Sequence, residues 1–192
     1  GRQLRRGRRG RGRPRVRRVG GAAFVLFQAF LERRDAAAEV FHQARDLAGA
    51  GVTRHDVMDA TDYVLPCFEI VDSRIRDWKI RIQDTIADNA SCGVFVAGNA
   101  RVDPRSLELA DVKLEMRKNG EPAGSGLGSA VQGHPAEAVA WLANMLGSFG
   151  VPFLKGEIIL SGALAPLVPA APGDHFELAI SGLGTASVKF IA

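Results

Sequence analysis

The chain has 192 residues, enough for one domain of ordinary size whose core needs no disulfide or metal to fold. Its formal net charge is +4, from 25 Lys and Arg against 21 Asp and Glu. Residues 1–18 carry ten Arg and no acid, so the remainder has 15 basic and 21 acidic residues and a net charge of −6. This acidic remainder argues against nucleic-acid binding by the folded part, because phosphate affinity needs a basic face.

The N-terminal quarter divides into two predicted segments. Residues 1–21 form an Arg- and Gly-rich head that we predict to be disordered, since its charges repel and it has little to bury. Because Arg, Gly, Ala and Pro have GC-rich codons, the head is compatible with an out-of-frame or incomplete N-terminal part, and also with a genuine tail that binds polyanions. Residues 22–48 are rich in Ala, Glu, Arg and Gln and lack internal Pro, which predicts a helix.

Residues 49–192 are predicted to form one α+β domain. Thr53, with Asp56 three residues later, predicts an N-capped helix over residues 54–63. Pro135 opens a second, amphipathic helix that ends at Gly147 or Gly150. Apolar runs and apolar–polar alternation predict short strands at 68–71, 94–96, 112–117, 158–160, 176–180 and 188–190.

Turn and loop signals connect these elements. Asn119-Gly120 follows an alternating segment at once and predicts a tight hairpin. The Gly- and Ser-rich stretch over residues 124–129 lacks the spacing of a phosphate-binding loop, so we interpret it as a connector. The two cysteines, Cys67 and Cys92, lie among apolar or small residues, which indicates packed, reduced thiols in a cytoplasmic protein. No apolar stretch near the N-terminus is long enough to cross a bilayer.

Glu69 is the first candidate for a functional side chain. It lies between Phe68 and Ile70, and a carboxylate in such an apolar run must be paired, exposed or bound to a cation. If Phe68 and Ile70 face the core, Glu69 faces the other side of the strand, where a pocket can form. The alternative is an ordinary ion pair with Arg74 or Arg76.

Two further places carry candidate groups. Asp88 and Asn89, with Asp84, supply oxygen atoms that suit hard cations such as Mg²⁺ or Mn²⁺, or else they form a solvated turn. Ser161-Gly162 ends a predicted strand at a point where a ligand can approach the backbone N–H groups, although a plain strand-to-loop transition has the same pattern.

The string LPCFEIVDSRIRDWKIRIQDTIADNASCGVFV over residues 65–96 resembles the 2-keto-4-pentenoate (2-hydroxypenta-2,4-dienoate) hydratases of the fumarylacetoacetase superfamily. The resemblance continues through DPRSLELADVKLEMRKNGE, GHPAEAVAWLANMLG, GEIILSGAL and PGDHFELAISGLGTASVKF. It covers roughly residues 45–192 and implies a mixed β-sandwich or roll with flanking helices, its N-terminal part incomplete. The related 4-oxalocrotonate decarboxylases share ADN and the SGAL-like segment and remain the alternative within the superfamily.

The resemblance also implies a chemistry. In these enzymes three carboxylates hold Mg²⁺ or Mn²⁺, which chelates the carboxylate and 2-oxygen of the substrate. Protonation at C5 and addition of water at C4 then give 4-hydroxy-2-oxopentanoate, a step in the meta-cleavage catabolism of aromatic compounds. The resemblance makes Glu69 one metal ligand and places Ser161, Gly162, Asp88 and Asn89 at the substrate. It also implies a homo-oligomer.

The chain departs from this pattern at its N-terminal side. The other two ligands come from a Glu-x-Glu pair in a string such as PRVEAEIAFVLGRDL, before the position of Arg45-Asp46-Leu47. The chain has no such pair there, Glu39 is the nearest acid in a similar context, and the segment that supplies a family Lys and Asp for proton transfer is absent. Three hypotheses follow: a metal-dependent hydro-lyase, an inactive remnant of one, or a polyanion-binding protein that acts through its Arg-rich head.

Overall fold

The computed structural model describes residues 24–25, 36–72 and 74–191. The first half contains β1 (Phe24–Val25), β2 (Ala36–Gln43), α1 (Arg54–Ala60), β3 (Thr61–Val71), α2 (Ile82–Ala87) and β4 (Cys92–Ala97). The second half contains β5 (Lys113–Lys118), β6 (Glu121–Leu127), α3 (Pro135–Gly147), β7 (Ile158–Ala163), β8 (His175–Ile180) and β9 (Gly184–Lys189). The prediction of disorder over residues 1–21 falls outside the described ranges.

The strands form two sheets that share a core. The first is mixed, in the order β1-β7-β2-β3-β4, with β1 parallel to β7 and the other pairs antiparallel. The second is antiparallel, in the order β6-β5-β8-β9. The core contains side chains of both sheets and of α3, and the ring of Phe68 in β3 meets that of Phe176 in β8 edge to face. The predicted α+β class with layered sheets is therefore confirmed.

The helix predicted over residues 22–48 is wrong where the structure describes this range. Phe24–Val25 and Ala36–Gln43 are strands, and β2 hydrogen-bonds to β3 on one side and to β7 on the other. Helix propensity amounts to a fraction of a kcal/mol per residue, so two flanking strands readily override it. The Ala- and Gln-rich composition therefore predicts a helix for residues that form strand β2.

The connector predicted over residues 124–129 is also wrong, because most of it belongs to β6. Its small residues allow close backbone approaches: a Cβ on Gly126 would lie 1.7 Å from the carbonyl oxygen of Leu164. A Cβ on Gly128, just after the strand, would lie 1.8 Å from the carbonyl oxygen of Leu109. These glycines are thus packing residues rather than flexible ones.

Local signals in the rest of the chain predicted the elements well. Thr53 and Asp56 form a reciprocal capping box on α1, which ends at Ala60 rather than at residue 63 because β3 begins at once. Asn119 and Gly120 both have positive φ, 55° and 88°, and form the hairpin turn between β5 and β6. Within the described residues, no helix is both long enough and apolar enough to span a bilayer.

Candidate active site

Glu69 lies near the end of β3, between β2 and β4 in the five-stranded sheet, and is 3% exposed. Its neighbours Phe68 and Ile70 pack in or against the main core, so strand alternation places Glu69 on the opposite face, as the sequence predicts. Residues of the same parity, Leu65 and Cys67, belong to a smaller cluster on that face. In the register, Glu69 pairs with position 36 of β2 and with Phe95 of β4.

The thiol of Cys92, at the start of β4, is coupled to the carboxylate of Glu69. Burial, the negative charge of Glu69 and a hydrogen bond to Glu69 together raise the pKa of Cys92 to about 12. The thiol is therefore protonated at neutral pH and donates a hydrogen bond to the carboxylate of Glu69. Cys67 and Cys92 are both buried and are not joined in a disulfide, in accordance with the prediction of packed thiols.

Arg74 ties the end of β3 to the start of β4. Its Nε pairs with Oδ1 of Asp88, its Nη2 donates to the Asp88 carbonyl oxygen, and its Nη1 donates to the carbonyl oxygen of Cys92 at 3.1 Å. The backbone N–H of Arg74 and the hydroxyl of Ser91 donate to Oδ2 of Asp88, at 3.2 and 3.0 Å. The Arg74 side chain thus binds Asp88 and the backbone of Cys92, whereas the ion-pair alternative placed it on Glu69.

Asp88 is consequently occupied as a structural carboxylate. Desolvation acts to raise its pKa, but the hydrogen bonds from Arg74 and Ser91 outweigh that effect and lower the pKa below its ordinary value. Asn89 begins a three-residue 3-10 helix with Ala90 and Ser91, both of which have positive φ, 54° and 58°. The segment therefore bends sharply just before β4 begins at Cys92.

Ser161 and Gly162 lie on β7, two strands away from Glu69. The register between β2 and β7 shifts opposite them, between Ala38 and Val40, so the pair forms a β-bulge. Gly162 has a φ of +127°, which only glycine adopts without strain, and the hydroxyl of Ser161 donates to the carbonyl oxygen of Glu39 at 3.3 Å. Ser161 and Gly162 are therefore separated from Glu69 by β2, whereas Asp88 and Asn89 lie in the turn before β4, the strand that pairs with β3.

The described residues do not make the metal site that the resemblance implies. Counting the family string back from Arg45-Asp46-Leu47 puts its two glutamates at positions 36 and 38, which are alanines here. Position 36 pairs with Glu69 and position 38 with Cys67, so the strand that should bear the ligands is correctly placed. Over residues 36–72 and 74–191, however, no three His, Cys, Asp or Glu side chains are grouped so as to hold a metal ion.

A cleft of about 530 Å³ lies elsewhere, on the outer face of the four-stranded sheet. It is lined by residues of both charges, among them Glu115, Arg117 and Glu177. None of the residues predicted to act in the site lines this cleft. Among the described residues, the cleft and the candidate catalytic groups therefore lie in different places.

The sequence does not predict the hydrogen bonds that Cys92 and Arg74 make. It predicts a packed thiol at Cys92 and, as the alternative for Glu69, an ion pair with Arg74. The signal available was the spacing of Arg74 and Asp88 around a turn, where an Asp before a bent segment is a common acceptor for a preceding basic side chain.

The chain matches the family model described as fumarylacetoacetate (FAA) hydrolase C-terminal over residues 45–191. It is 66% identical over 171 residues to a 2-hydroxyhexa-2,4-dienoate hydratase of Comamonas testosteroni, covering 88% of this chain and 65% of the relative. It is 44% identical over 171 residues to a 2-keto-4-pentenoate hydratase of Paraburkholderia xenovorans (strain LB400), covering 88% and 64%. The chain thus spans a little under two thirds of the length of these relatives.

Among solved structures, the chain resembles 4-oxalocrotonate decarboxylase from Pseudomonas putida G7, complexed with magnesium and adipate. The TM-score is 0.79 at 37% identity, and the match covers 82% of this chain and 60% of the other. A second structure of that enzyme, with calcium and acetate, gives a TM-score of 0.77. The fold and the sequence therefore point to the same group of relatives.

Proposed function

The chain belongs to the fumarylacetoacetate hydrolase family, and from that premise we propose that the protein hydrates 2-hydroxy-2,4-dienoates of five or six carbons. The substrate we propose first is 2-hydroxypenta-2,4-dienoate, and the product is 4-hydroxy-2-oxopentanoate. Over the reaction C5 gains a proton and C4 gains hydroxide, while the enol loses its O–H proton and C3 gains one as the ketone forms, so the sum is the addition of one water molecule. The observation that carries the proposal is the 66% identity to a hydratase of this substrate class over 88% of the chain.

We assign the residues to roles by their places in the fold. Ser161 and Gly162, at the bulge of β7, are proposed to receive the carboxylate end of the substrate, because a small hydroxyl residue and a glycine let an anion approach the backbone. The bent segment from Asp88 to Ser91 is proposed to border the same substrate, with Arg74 and Asp88 as positioning residues. Glu69 is a buried carboxylate hydrogen-bonded to Cys92, and alone it does not make a metal site.

The cytoplasmic location and the homo-oligomeric state belong to this proposal too, and a divalent metal belongs to it only for a protein with the complete ligand set, which the described residues of this chain do not supply. Magnesium is supported by the relative solved with magnesium and adipate, and Mn²⁺ by the general likeness of the two ions toward oxygen ligands. The two buried cysteines, which form no disulfide, favour a reducing compartment.

The test is an assay of the full chain in buffer with Mg²⁺ or Mn²⁺, following loss of the dienoate absorbance and identifying the product by NMR. We expect 4-hydroxy-2-oxo acid to form, more slowly than with the Comamonas hydratase, since the described residues supply one of the three carboxylates that the resemblance implies. Ser161→Ala should raise KM for the dienoate several-fold. Ser187→Ala, which removes an exposed hydroxyl on β9, is the matched control and should leave KM unchanged.

The same assay distinguishes the alternatives. Release of CO₂ from 4-oxalocrotonate without hydration of the dienoate would favour the decarboxylase of the same superfamily. Absence of both reactions, in the chain and in the ligand-bearing variant described below, would overturn the proposal and favour an inactive remnant.

A further inference from the structure

Strand β2 places its single acid on the face of the sheet opposite to Glu69. The β2–β3 register runs without a shift from Ala36↔Glu69 to His42↔Tyr63. Paired residues of antiparallel strands share a face, so positions 36, 38 and 40 lie on the Glu69 face. The membership of Val40 and Leu65 in the smaller cluster agrees with this. Position 39 has the other parity and therefore the other face.

Glu39 lies on the core face, among apolar side chains. It pairs with Pro66, and the neighbouring pairs on that face include Phe41 with Val64, both of which belong to the main core. Glu39 is 0% exposed, and within the part of the chain that the structure describes neither of its carboxylate oxygens has a hydrogen-bond partner. A carboxyl group in this environment is costly to bury, and nothing in the described core compensates it.

We infer that the acid of β2 is displaced by one residue from the sheet face that carries Glu69. This chain therefore does not hold a divalent cation at Glu69, although β2 and β3 pair in the register that the site requires. A displacement of one residue is sufficient because side chains alternate between faces along a strand. The inference concerns the site of the proposed function, but its test measures cation binding and not turnover.

The primary experiment is a titration of the full chain with Mn²⁺, with the free ion measured by electron paramagnetic resonance. We expect no saturable binding in the micromolar range, because one carboxylate does not hold such an ion without help. Tight binding that Glu69→Gln abolishes would overturn the inference, since it would mean that other residues of the chain complete the site.

A triple variant tests the positional argument directly. Ala36→Glu, Ala38→Glu and Glu39→Ile together move the acids to the Glu69 face and remove the carboxyl from the core. We expect Mn²⁺ affinity to increase by at least about tenfold and this gain to be lost when Glu69→Gln is added. Glu39→Ile alone should raise the melting temperature without creating a Mn²⁺ site.

The chain offers a matched control on the other sheet. Thr185→Glu with Ser187→Glu and Glu177→Gln creates the same Glu-x-Glu spacing on the exposed face of β9, and the third change removes the carboxylate that pairs with position 187. We expect little gain in affinity there, and an equal gain would overturn the positional argument. If the triple variant does not fold, as judged by circular dichroism, the titration of the unmodified chain still decides.

Failure of this inference and failure of the proposed function give different results. Tight binding of Mn²⁺ by the unmodified chain, with hydration of the dienoate, overturns the inference and leaves the hydratase proposal standing. Recovery of a Mn²⁺ site in the triple variant without dienoate hydration supports the inference and counts against the hydratase.

Discussion

At the scale of single residues, Glu39 is fully buried, and within the described part of the chain its carboxyl group has no hydrogen-bond partner. Burial raises its pKa from 4.5 to about 8, so the carboxyl is protonated at neutral pH in the folded protein. In the unfolded chain the same carboxyl ionises at its ordinary pKa. Folding therefore takes up a proton at neutral pH, and stability depends on pH through this group.

The sign of this dependence leads to a prediction. Below about pH 4.5 Glu39 is protonated in both the folded and the unfolded state, so its ionisation does not affect stability. Between about pH 4.5 and 8 only the unfolded state loses the proton, so the free energy of unfolding falls as pH rises. Above about pH 8 this loss of stability is complete. At about 1.4 kcal/mol per pKa unit, the full loss is roughly 5 kcal/mol. Glu39→Ile should remove this loss, as measured by urea unfolding at pH 5, 7 and 8.5.

The control for this prediction is Glu137→Gln, which changes an exposed glutamate in the first turn of α3. We expect it to leave the pH dependence between 5 and 8.5 as it is in the parent chain. If Glu39→Ile and the parent lose stability equally over that range, the buried position of Glu39 is incorrect.

At the scale of elements, β6 shows how a glycine-rich sequence forms a strand. Its register with β5 is continuous from Lys113↔Leu127 to Met116↔Gly124, and glycine at 126 allows the strand to lie against the backbone at Leu164. A side chain at that point would separate the strand from the segment after β7. Strand β6 therefore depends on the absence of a side chain at glycine 126. From composition alone, the same glycines predict a flexible connector.

Two alanine substitutions on β6 test this account. Gly126→Ala should destabilise the protein by about 1–3 kcal/mol, because its Cβ would lie 1.7 Å from a backbone oxygen that cannot easily move. Gly124→Ala, on the same strand, has its tightest contact with the flexible end of Met116 at 3.0 Å and should change stability by less than about 1 kcal/mol. Denaturant unfolding measures both, and equal effects would contradict the close approach at Gly126.

At the scale of the whole molecule, an apolar stripe remains exposed along α3 and just beyond it. Trp141, Met145 and Phe149 follow one another at intervals of four residues and are 36%, 40% and 74% exposed. Such spacing puts Trp141 and Met145 on one side of the helix, Phe149 follows just after its end, and Glu137 is the only charged residue in the helix. Exposed apolar patches of this kind commonly mark protein–protein contacts, which agrees with the predicted homo-oligomer.

We therefore expect Phe149→Asp together with Met145→Asp to lower the oligomeric state of the purified chain. Leu127→Asp, at a residue with 45% exposure on the second sheet, serves as the control and should leave the assembly unchanged. Analytical ultracentrifugation measures both. An unmodified chain that sediments as a monomer would contradict the oligomer, and dissociation by the control would contradict the assigned surface.

The sequence by itself determined the elements whose signals are local. The capping box at Thr53, the Asn119-Gly120 turn, the Pro135 start of α3 and the alternation around Glu69 each involve residues close together in the chain, so their physics is complete within a few residues. Sequence similarity extended this to the family, since it covers residues 45–191.

The tertiary structure alone decided what depends on distant partners. Only the pairing of β2 with β3 and β7 turned a helix-like composition into a strand, and only the register put Glu39 in the core while position 36 faces Glu69. The separation of Ser161 from Glu69 by an intervening strand depends on the order β7-β2-β3, which local signals do not encode. Side-chain facing alternates with every residue, so the fate of a carboxylate on β2 depends on a register that only long-range pairing fixes.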